Sequence, residues 1–179
     1  ITRAMKLVSA SKARAAQIAN GVSKPYSDRI YSLVRDLWTI TDPKAHPLLK
    51  SNNSGRHCYL IITSDKGLAG AFNANVLRKA EGWIAGELKK NTEFSVITVG
   101  KKAKDHFVRS PTSNRVARSF WKFGDYTDLS ETLPIADLLL AGFENGRWDS
   151  VDAAYTNFRT TLLQETVLKK ILPATEAGL

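Results

Sequence analysis

The sequence predicts an α/β chain: a sheet sandwiched by helices, preceded by a long N-terminal coiled-coil helix. Three observations predict it. Small and aliphatic residues recur at intervals of seven through the first turns. From residue 57 onward, strand-like and helix-like apolar periods alternate. The first of those strands is apolar on both faces, as in the interior of a parallel sheet. With 179 residues, 43% of them hydrophobic, the chain can bury one core and carry an appendage. A single Cys, Cys58, rules out an intrachain disulfide scaffold. No run reaches the roughly 18 apolar residues of a spanning helix.

Residues 1–40 read as one helix. Ile1, Val8, Ala15 and Val22 repeat at seven, and Ala4, Ser11 and Ile18 fill the intervening positions. This is a heptad seam of small residues, which lets a partner helix approach closely. The stripe continues through Tyr26, Ile30, Leu33, Leu37 and Ile40. Pro25 falls inside it, and is expected either to kink the helix near Asn20–Lys24 or to start a second one. The first 27 residues carry Arg3, Lys6, Lys12, Arg14 and Lys24 and no acid, so more than half of the net charge of +9 sits here. An excess of that sign implies an acidic partner. A narrow apolar stripe without a companion does not hold a helix in water, and nothing later in the chain is long enough to pair along it. The segment is basic and Ser-containing, but its scattered Lys and Arg exclude a secretory signal. The chain opens on Ile1, which fits a fragment or a processed product.

Residues 41–56 hold two Pro, a Ser-Asn-Asn-Ser cluster and Gly55, and read as a surface linker. Residues 57–179 form the α/β domain. HCYLIIT (57–63) is a strand and SDKGLAG (64–70) a turn. The segment 71–90 is an amphipathic helix with Phe72, Val76, Leu77, Ala80, Ile84 and Leu88 on one side. FSVITVG (94–100) is a strand, and KAKDHFVR (102–109) a short helix. RVARSFW (115–121) is a weaker, peripheral strand. Residues 128–146 form a helix with Gly146 as its cap. SVDAAYTNF (150–158) and TVLKKILP (166–173) are the last strands. This order is that of a Rossmann-like sheet with helices on both sides.

The turn Ser64–Gly70 is the most site-like feature, since it follows a core strand and opens a helix, where phosphates bind in dinucleotide folds. It is neither GxGxxG nor GxxxxGK[ST]. A tight structural turn built on Ser64, Asp65, Gly67 and Gly70 therefore outweighs the alternative, a small nucleotide-binding α/β enzyme using this loop. Gly100-Lys101-Lys102 follows the second strand similarly, and a solvated charge run outweighs an anion site. His46, His57 and His106 are scattered and make no metal-ligand spacing. No Ser/His/Asp set is readable from spacing, and Asp65 with Asp125 is a carboxylate pair only if the fold unites them. Trp38, Trp83, Trp121 and Trp148 occupy stripe or strand positions, so core packing outweighs base stacking. On the first helix the basic residues alternate with small apolar ones, which does not suit nucleic-acid reading.

These residues resemble one family, the gamma subunit of F-type ATP synthase. Ile1-Thr2-Arg3-Ala4-Met5-Lys6-Leu7-Val8-Ser9-Ala10-Ser11-Lys12 resembles its N-terminal signature helix. Lys24-Pro25-Tyr26 resembles its helix proline, and Ala45-His46-Pro47-Leu48-Leu49 the stretch after it. Residues 63–73, TSDKGLAGAFN, resemble its most recognisable loop, with Lys66 where Arg is usual. Val99-Gly100-Lys101-Lys102, Asn157-Phe158 and Leu172-Pro173 also match. The resemblance implies a non-catalytic rotor subunit. Its N-terminal helix would pair with a C-terminal one inside a ring of alpha and beta subunits, and its α/β domain would meet epsilon (or delta) and the membrane c-ring. It implies that Arg3, Met5, Lys6, Val8, Ser9 and Lys12 touch the ring, the basic ones facing acidic loops of beta. It implies no cofactor, metal or nucleic acid. The subunit would be peripheral, without a span of its own, at the cytoplasmic face of a bacterial plasma membrane or the matrix face of a mitochondrial inner membrane. Family members carry a long C-terminal helix that these residues lack, so the sequence is expected to be a truncated gamma subunit, or one whose remaining segments lie outside these residues.

Overall fold

The computed structural model describes residues 2–40, 42, 46–50, 55–124 and 127–174. The elements are α1 (Thr2–Ile40), a 3-10 turn (Pro47–Leu49), β1 (Arg56–Ile62), α2 (Phe72–Lys89), β2 (Glu93–Val99), α3 (Lys101–Val108), β3 (Val116–Phe120), α4 (Leu129–Glu144), β4 (Ser150–Phe158) and β5 (Gln164–Leu172). Among the described residues they form a five-stranded sheet in the order β3-β2-β1-β4-β5. The pairs β1–β2, β1–β4 and β2–β3 are parallel, and β4–β5 is an antiparallel hairpin. The weak strand expected at 115–121 is indeed peripheral, at the β3 edge.

Alternation along the strands divides the core in two. Cys58 and Leu60 of β1, with Ile97, Val151, Ala153 and Leu172, meet α4 through Ile135, Leu139 and Phe143. Tyr59 and Ile61 face the other way, with Phe94, Val96 and Ala154, toward Val76, Ala80 and Ile84 of α2 and Ala103 and Phe107 of α3. The result is three layers. The α4 start is closed by a capping box: Asp128 accepts from Ser130 N–H, and Glu131 reaches back to Asp128 N–H. Its end is closed by Gly146 at φ +67°, as the sequence suggests. Gly100, at φ +92°, sits where an added Cβ would fall 2.2 Å from the Thr63 carbonyl oxygen, so a side chain has no room there.

Several expectations need correction. α2 turns Glu87 rather than Leu88 inward: Leu88 is 50% exposed and Glu87 only 8%. At about 100° per residue, position 87 returns to the face of Val76 and position 88 does not. The carboxylate is tolerated because the Tyr59 side chain hydrogen-bonds it and Lys90 Nζ stands 3.5 Å away. Trp121 is not core either. It is 39% exposed, with Lys104 Nζ 3.3 Å from its ring centroid. Trp83 is partly buried, tilted against Tyr59 at 4.7 Å, and Trp148 is fully buried. The side chain of Trp38 lies outside the described residues. As the reading of one helix over residues 1–40 expects, α1 is a single helix of 39 residues with Pro25 inside it. The proline starts no second helix. The helix crosses it because the carbonyl it deprives of a donor, on Gly21, lies on an exposed turn open to water.

Candidate functional site

α1 is about 58 Å long at 1.5 Å per residue, and its two halves differ. Residues 3–14 are exposed all round. From Asn20 to Arg35 one side of the helix lies over β4 and β5, where Lys169 Nζ sits 4.0 Å from the centroid of the Tyr31 ring. Lys169 pairs with Ala153, and Ala153 belongs to the α4 side of the core, so α1 shares that face of the sheet. The strand residues lining the cleft lie from Lys169 toward the hairpin tip, and the helix residues lining it run from Asn20 to Arg35, most of them before Tyr31, which faces Lys169. The first half of α1 therefore projects beyond the carboxyl end of the sheet.

The side of α1 turned to the sheet is polar: Asn20, Ser23, Lys24, Ser27, Asp28 and Tyr31. The apolar stripe points away. Ile18 is 61% exposed, Val22 75%, Tyr26 72%, Leu33 50%, Leu37 54% and Ile40 80%. At about 100° per residue the two faces centre about 160° apart around the helix. Of the proposed seam, Ala4, Val8, Ser11, Ile18 and Val22 are exposed and Ala15 is half-buried; Ile1 lies outside the described residues. The suggested contact residues Arg3, Met5, Lys6, Val8, Ser9 and Lys12 are all exposed, on the projecting half.

The loop after β1 folds on itself. Ser64 N–H donates to Asn73 Oδ1 at 2.9 Å, and Ser64 Oγ donates to the Lys66 carbonyl at 2.7 Å. Asp65 is the pivot: its carboxylate accepts from Lys101 N–H at 2.6 Å and from Phe123 N–H at 2.7 Å. Thr63 Oγ1 accepts from Ala103 N–H at 2.8 Å. The amides of Lys101 and Ala103 at the start of α3 are thus taken by the chain's own side chains, and that of Lys102 by the Ser64 carbonyl. Gly70 has φ +55° and Leu68 φ +57°, with Leu68 fully exposed. The nucleotide alternative gains no support from this geometry, while Ser64, Asp65 and Gly70 serve the turn. Gly67 has ordinary φ and lies under the Lys102 side chain. A cavity of about 610 Å³ lies beside the loop, between the carboxyl ends of β1 and β2 and α4; Leu60, Ile62, Val99, Ile135 and Leu139 make its walls apolar. Asp125, the suggested partner of Asp65, lies outside the described residues.

The fold also unites residues that spacing does not. His57 and Ser150 are register partners on β1 and β4, with Nδ1 2.7 Å from Oγ. Ser150 Oγ donates to Asp152 Oδ2 at 3.1 Å, so its single proton is committed and His57 Nδ1–H is the donor. Serine stands between the other two and is 4% exposed, which is a buried strut and not the order of a nucleophilic triad. Lys170 Nζ balances Asp152 from 3.7 Å. Cys58, beside this strut, has its thiol pushed up to about 12 by burial. His106 pairs with Glu81 at 2.8 Å, and His46 accepts from Leu48 N–H through Nδ1. Among the described residues no His/Cys/Asp/Glu group could hold a metal ion, and no helix is long and apolar enough to cross a membrane.

Comparison with known proteins matches residues 1–178 to the family model described as ATP synthase. The ATP synthase gamma chain of Roseiflexus castenholzii is 37% identical over 97% of this chain and 60% of its own length. That of Pelotomaculum thermopropionicum is 35% identical, again over 97% and 60%. The chain thus spans about 60% of the length of these curated relatives. In fold it is similar to a chain in the central stalk and c-ring structure of the Tetrahymena thermophila mitochondrial ATP synthase. The TM-score is 0.74 at 21% identity, covering 97% of this chain and 72% of that one. A rotor chain of the Euglena gracilis mitochondrial enzyme matches with a TM-score of 0.52 at 17% identity, covering 90% and 59%.

Proposed function

We propose that this chain, which belongs to the ATP synthase gamma-chain family, is a non-catalytic shaft that transmits rotation between a membrane c-ring and the catalytic beta subunits. The observation that carries the reading is the unpartnered apolar stripe of α1. A helix that turns its polar side to its own domain and its apolar side to solvent is built for a second helix. The companion lies along Ala4, Val8, Ser11, Ala15, Ile18 and Val22, and continues past Tyr26 and Leu33. The projecting half then enters the alpha–beta ring, where Arg3, Lys6 and Lys12 meet acidic loops and Met5, Val8 and Ser9 supply smooth contact. Torque requires a stiff lever. One unbroken helix across Pro25, held on the sheet between Asn20 and Arg35, supports that role.

The α/β domain is the foot of the shaft. It meets an epsilon-type subunit and the c-ring, at the inner face of the energised membrane and without a span of its own. The loop Ser64–Gly70 braces the junction of β1, α2 and α3 and binds no nucleotide: it lacks the glycine spacing of a phosphate cradle, and its Asp65 is committed to the Lys101 and Phe123 amides. The deciding experiment is purification of tagged full-length subunit from its host. Alpha and beta subunits co-purifying in ring stoichiometry are expected. A chain that returns without them while binding ATP at Ser64–Gly70 overturns the proposal.

A further inference from the structure

Between α1 and the β4–β5 hairpin runs a cleft of about 580 Å³. Its walls are polar and its charge is one-sided: Lys24 and Arg35 on the helix and Arg159 and Lys169 on the hairpin, against Asp28 alone. Arg159 stands 3.9 Å from Glu165, both half-exposed, and Lys169 lies over the Tyr31 ring. Lys24 and Arg35 are exposed, with no carboxylate in ion-pair range among the described residues. The apolar stripe of α1 lies on the opposite side of the helix, so a helix seated on that stripe leaves the cleft open.

We infer that this cleft is a docking slot for an extended acidic segment of a protein partner. From Asn20 to Arg35 it follows α1 for about 22 Å, the length of about six or seven residues in extended form. Its volume exceeds what one inorganic anion fills. Four cations spread along two walls match carboxylates repeated along a chain better than a single multivalent head. Ser23 and Ser27 give their hydroxyl protons to the helix carbonyls of Asn20 and Ser23, which leaves their oxygens to accept from a bound peptide's N–H groups. A membrane surface meets flat or convex faces, whereas this site is sunk between a helix and a sheet. The inference does not depend on the rotor reading, because the cleft lies on the side of α1 away from the seam.

The test uses full-length subunit and a fluorescein-labelled octaglutamate peptide in about 0.15 M salt. The double variant Lys24→Glu/Arg35→Glu is compared with Lys50→Glu/Lys89→Glu, which makes the same change of charge at exposed positions outside the cleft. The cleft variant is expected to bind at least about tenfold more weakly, and the control variant to stay within about threefold of the parent. All four positions are exposed, and helicity is checked by circular dichroism. The neutral pair Lys24→Gln/Arg35→Gln is expected to fall between parent and reversal. As an independent readout, bound peptide should protect Lys169 from acetylation. Equal losses in both double variants, Lys169 acetylated as fast with peptide as without, or no saturation below about 1 mM overturns the inference. So does cleft-dependent binding to phosphatidylglycerol vesicles that outcompetes the peptide.

Discussion

Gly142 and Gly21 both lie inside α-helices, and they mark the two regions of this molecule. A Cβ added at Gly142 of α4 would fall 2.0 Å from Trp148 Cζ3, whereas one added at Gly21 of α1 would meet nothing within 4 Å. The α/β domain buries a core of its own between helices and sheet, in which Trp148, Ile97, Val151 and Ile61 are fully buried. α1 is open, with its large apolar side chains exposed. Regular secondary structure therefore does not report on completeness. One region buries a hydrophobic core of its own, while the other has the pattern of a core helix and leaves its apolar stripe exposed.

Backbone glycines should separate the regions most strongly. Gly100→Ala forces a side chain against the Thr63 carbonyl at φ +92° and should cost about 3 kcal/mol or more, strain and overpacking together. Gly142→Ala should cost about 1–3 kcal/mol, because Trp148 must shift in a packed core. Gly21→Ala should instead stabilise α1 by up to about 1 kcal/mol through helix propensity. Urea unfolding midpoints at constant m-value measure all three. Equal shifts for Gly142→Ala and Gly21→Ala would break the comparison.

High pH should reveal the closed core next. The ordinary thiol value near 9 is pushed up to about 12 at Cys58 by burial, and burial also raises the Tyr59 hydroxyl. Above about pH 9 the unfolded thiol releases its proton while the folded one keeps it, so the unfolded state binds fewer protons and stability falls as pH rises. The loss should be absent below pH 9 and should approach about 1.4 kcal/mol per pH unit for each such group between the two values. Cys58→Ser should flatten the slope. Cys58 should also resist a thiol reagent at pH 8 until the chain is unfolded. Labelling of the native chain at the rate of a free thiol would mean that β1 opens far more readily than its burial implies.

Much of this was legible in the residues, for reasons that differ by region. The two-face apolarity of His57–Thr63, the alternation of strand and helix periods, and Gly146 as a stop each follow from local chemistry, and the sheet order agrees with them. The misplaced Leu88 was legible too, because a 3.6-residue period puts position 87 on the face of Val76. The cross-strand strut His57–Ser150–Asp152 was not. His57 is 93 residues from Ser150, and only the register of β1 with β4 unites it with Ser150 and Asp152. Asp65 as the anchor of two distant amides, on Lys101 and Phe123, depends likewise on tertiary placement. The polar underside of α1 was visible as serines every fourth residue, at Ser23 and Ser27, but its meaning depends on where the helix lies.

Asp65→Ala should have a smaller effect, about 1–2 kcal/mol, the typical cost of removing a side-chain cap from helix amides. Asp65→Asn should recover part of it, since an amide oxygen still accepts one of the two N–H groups. Equilibrium dialysis should show that neither variant gains ATP affinity. Saturable ATP binding by the parent, lost in Gly67→Val, would contradict the structural account of the loop.

The smallest effect on the chain itself should come from its most consequential position. Val8 is 55% exposed, so Val8→Glu should alter the subunit's own stability by no more than about 0.5 kcal/mol. On the rotor function proposed above, the same carboxylate would face the companion helix in the assembled complex. There an unpaired buried charge costs several kcal/mol, and docking in the ring should fail. Lys6→Gln removes one exposed charge worth about 0–1 kcal/mol, so assembly and rotation should survive it, with the residual effect fading as salt rises. If the chain is the shaft proposed above, it also has reason to avoid strong pairs, since an ion pair tight enough to dominate would hold the rotor at one angle. Reconstituted complexes assayed for ATP hydrolysis and rotation at low and high salt decide the matter. If Lys6→Gln stopped rotation while Val8→Glu turned normally, the open face of α1 would have to be read as an electrostatic surface and not as a seam.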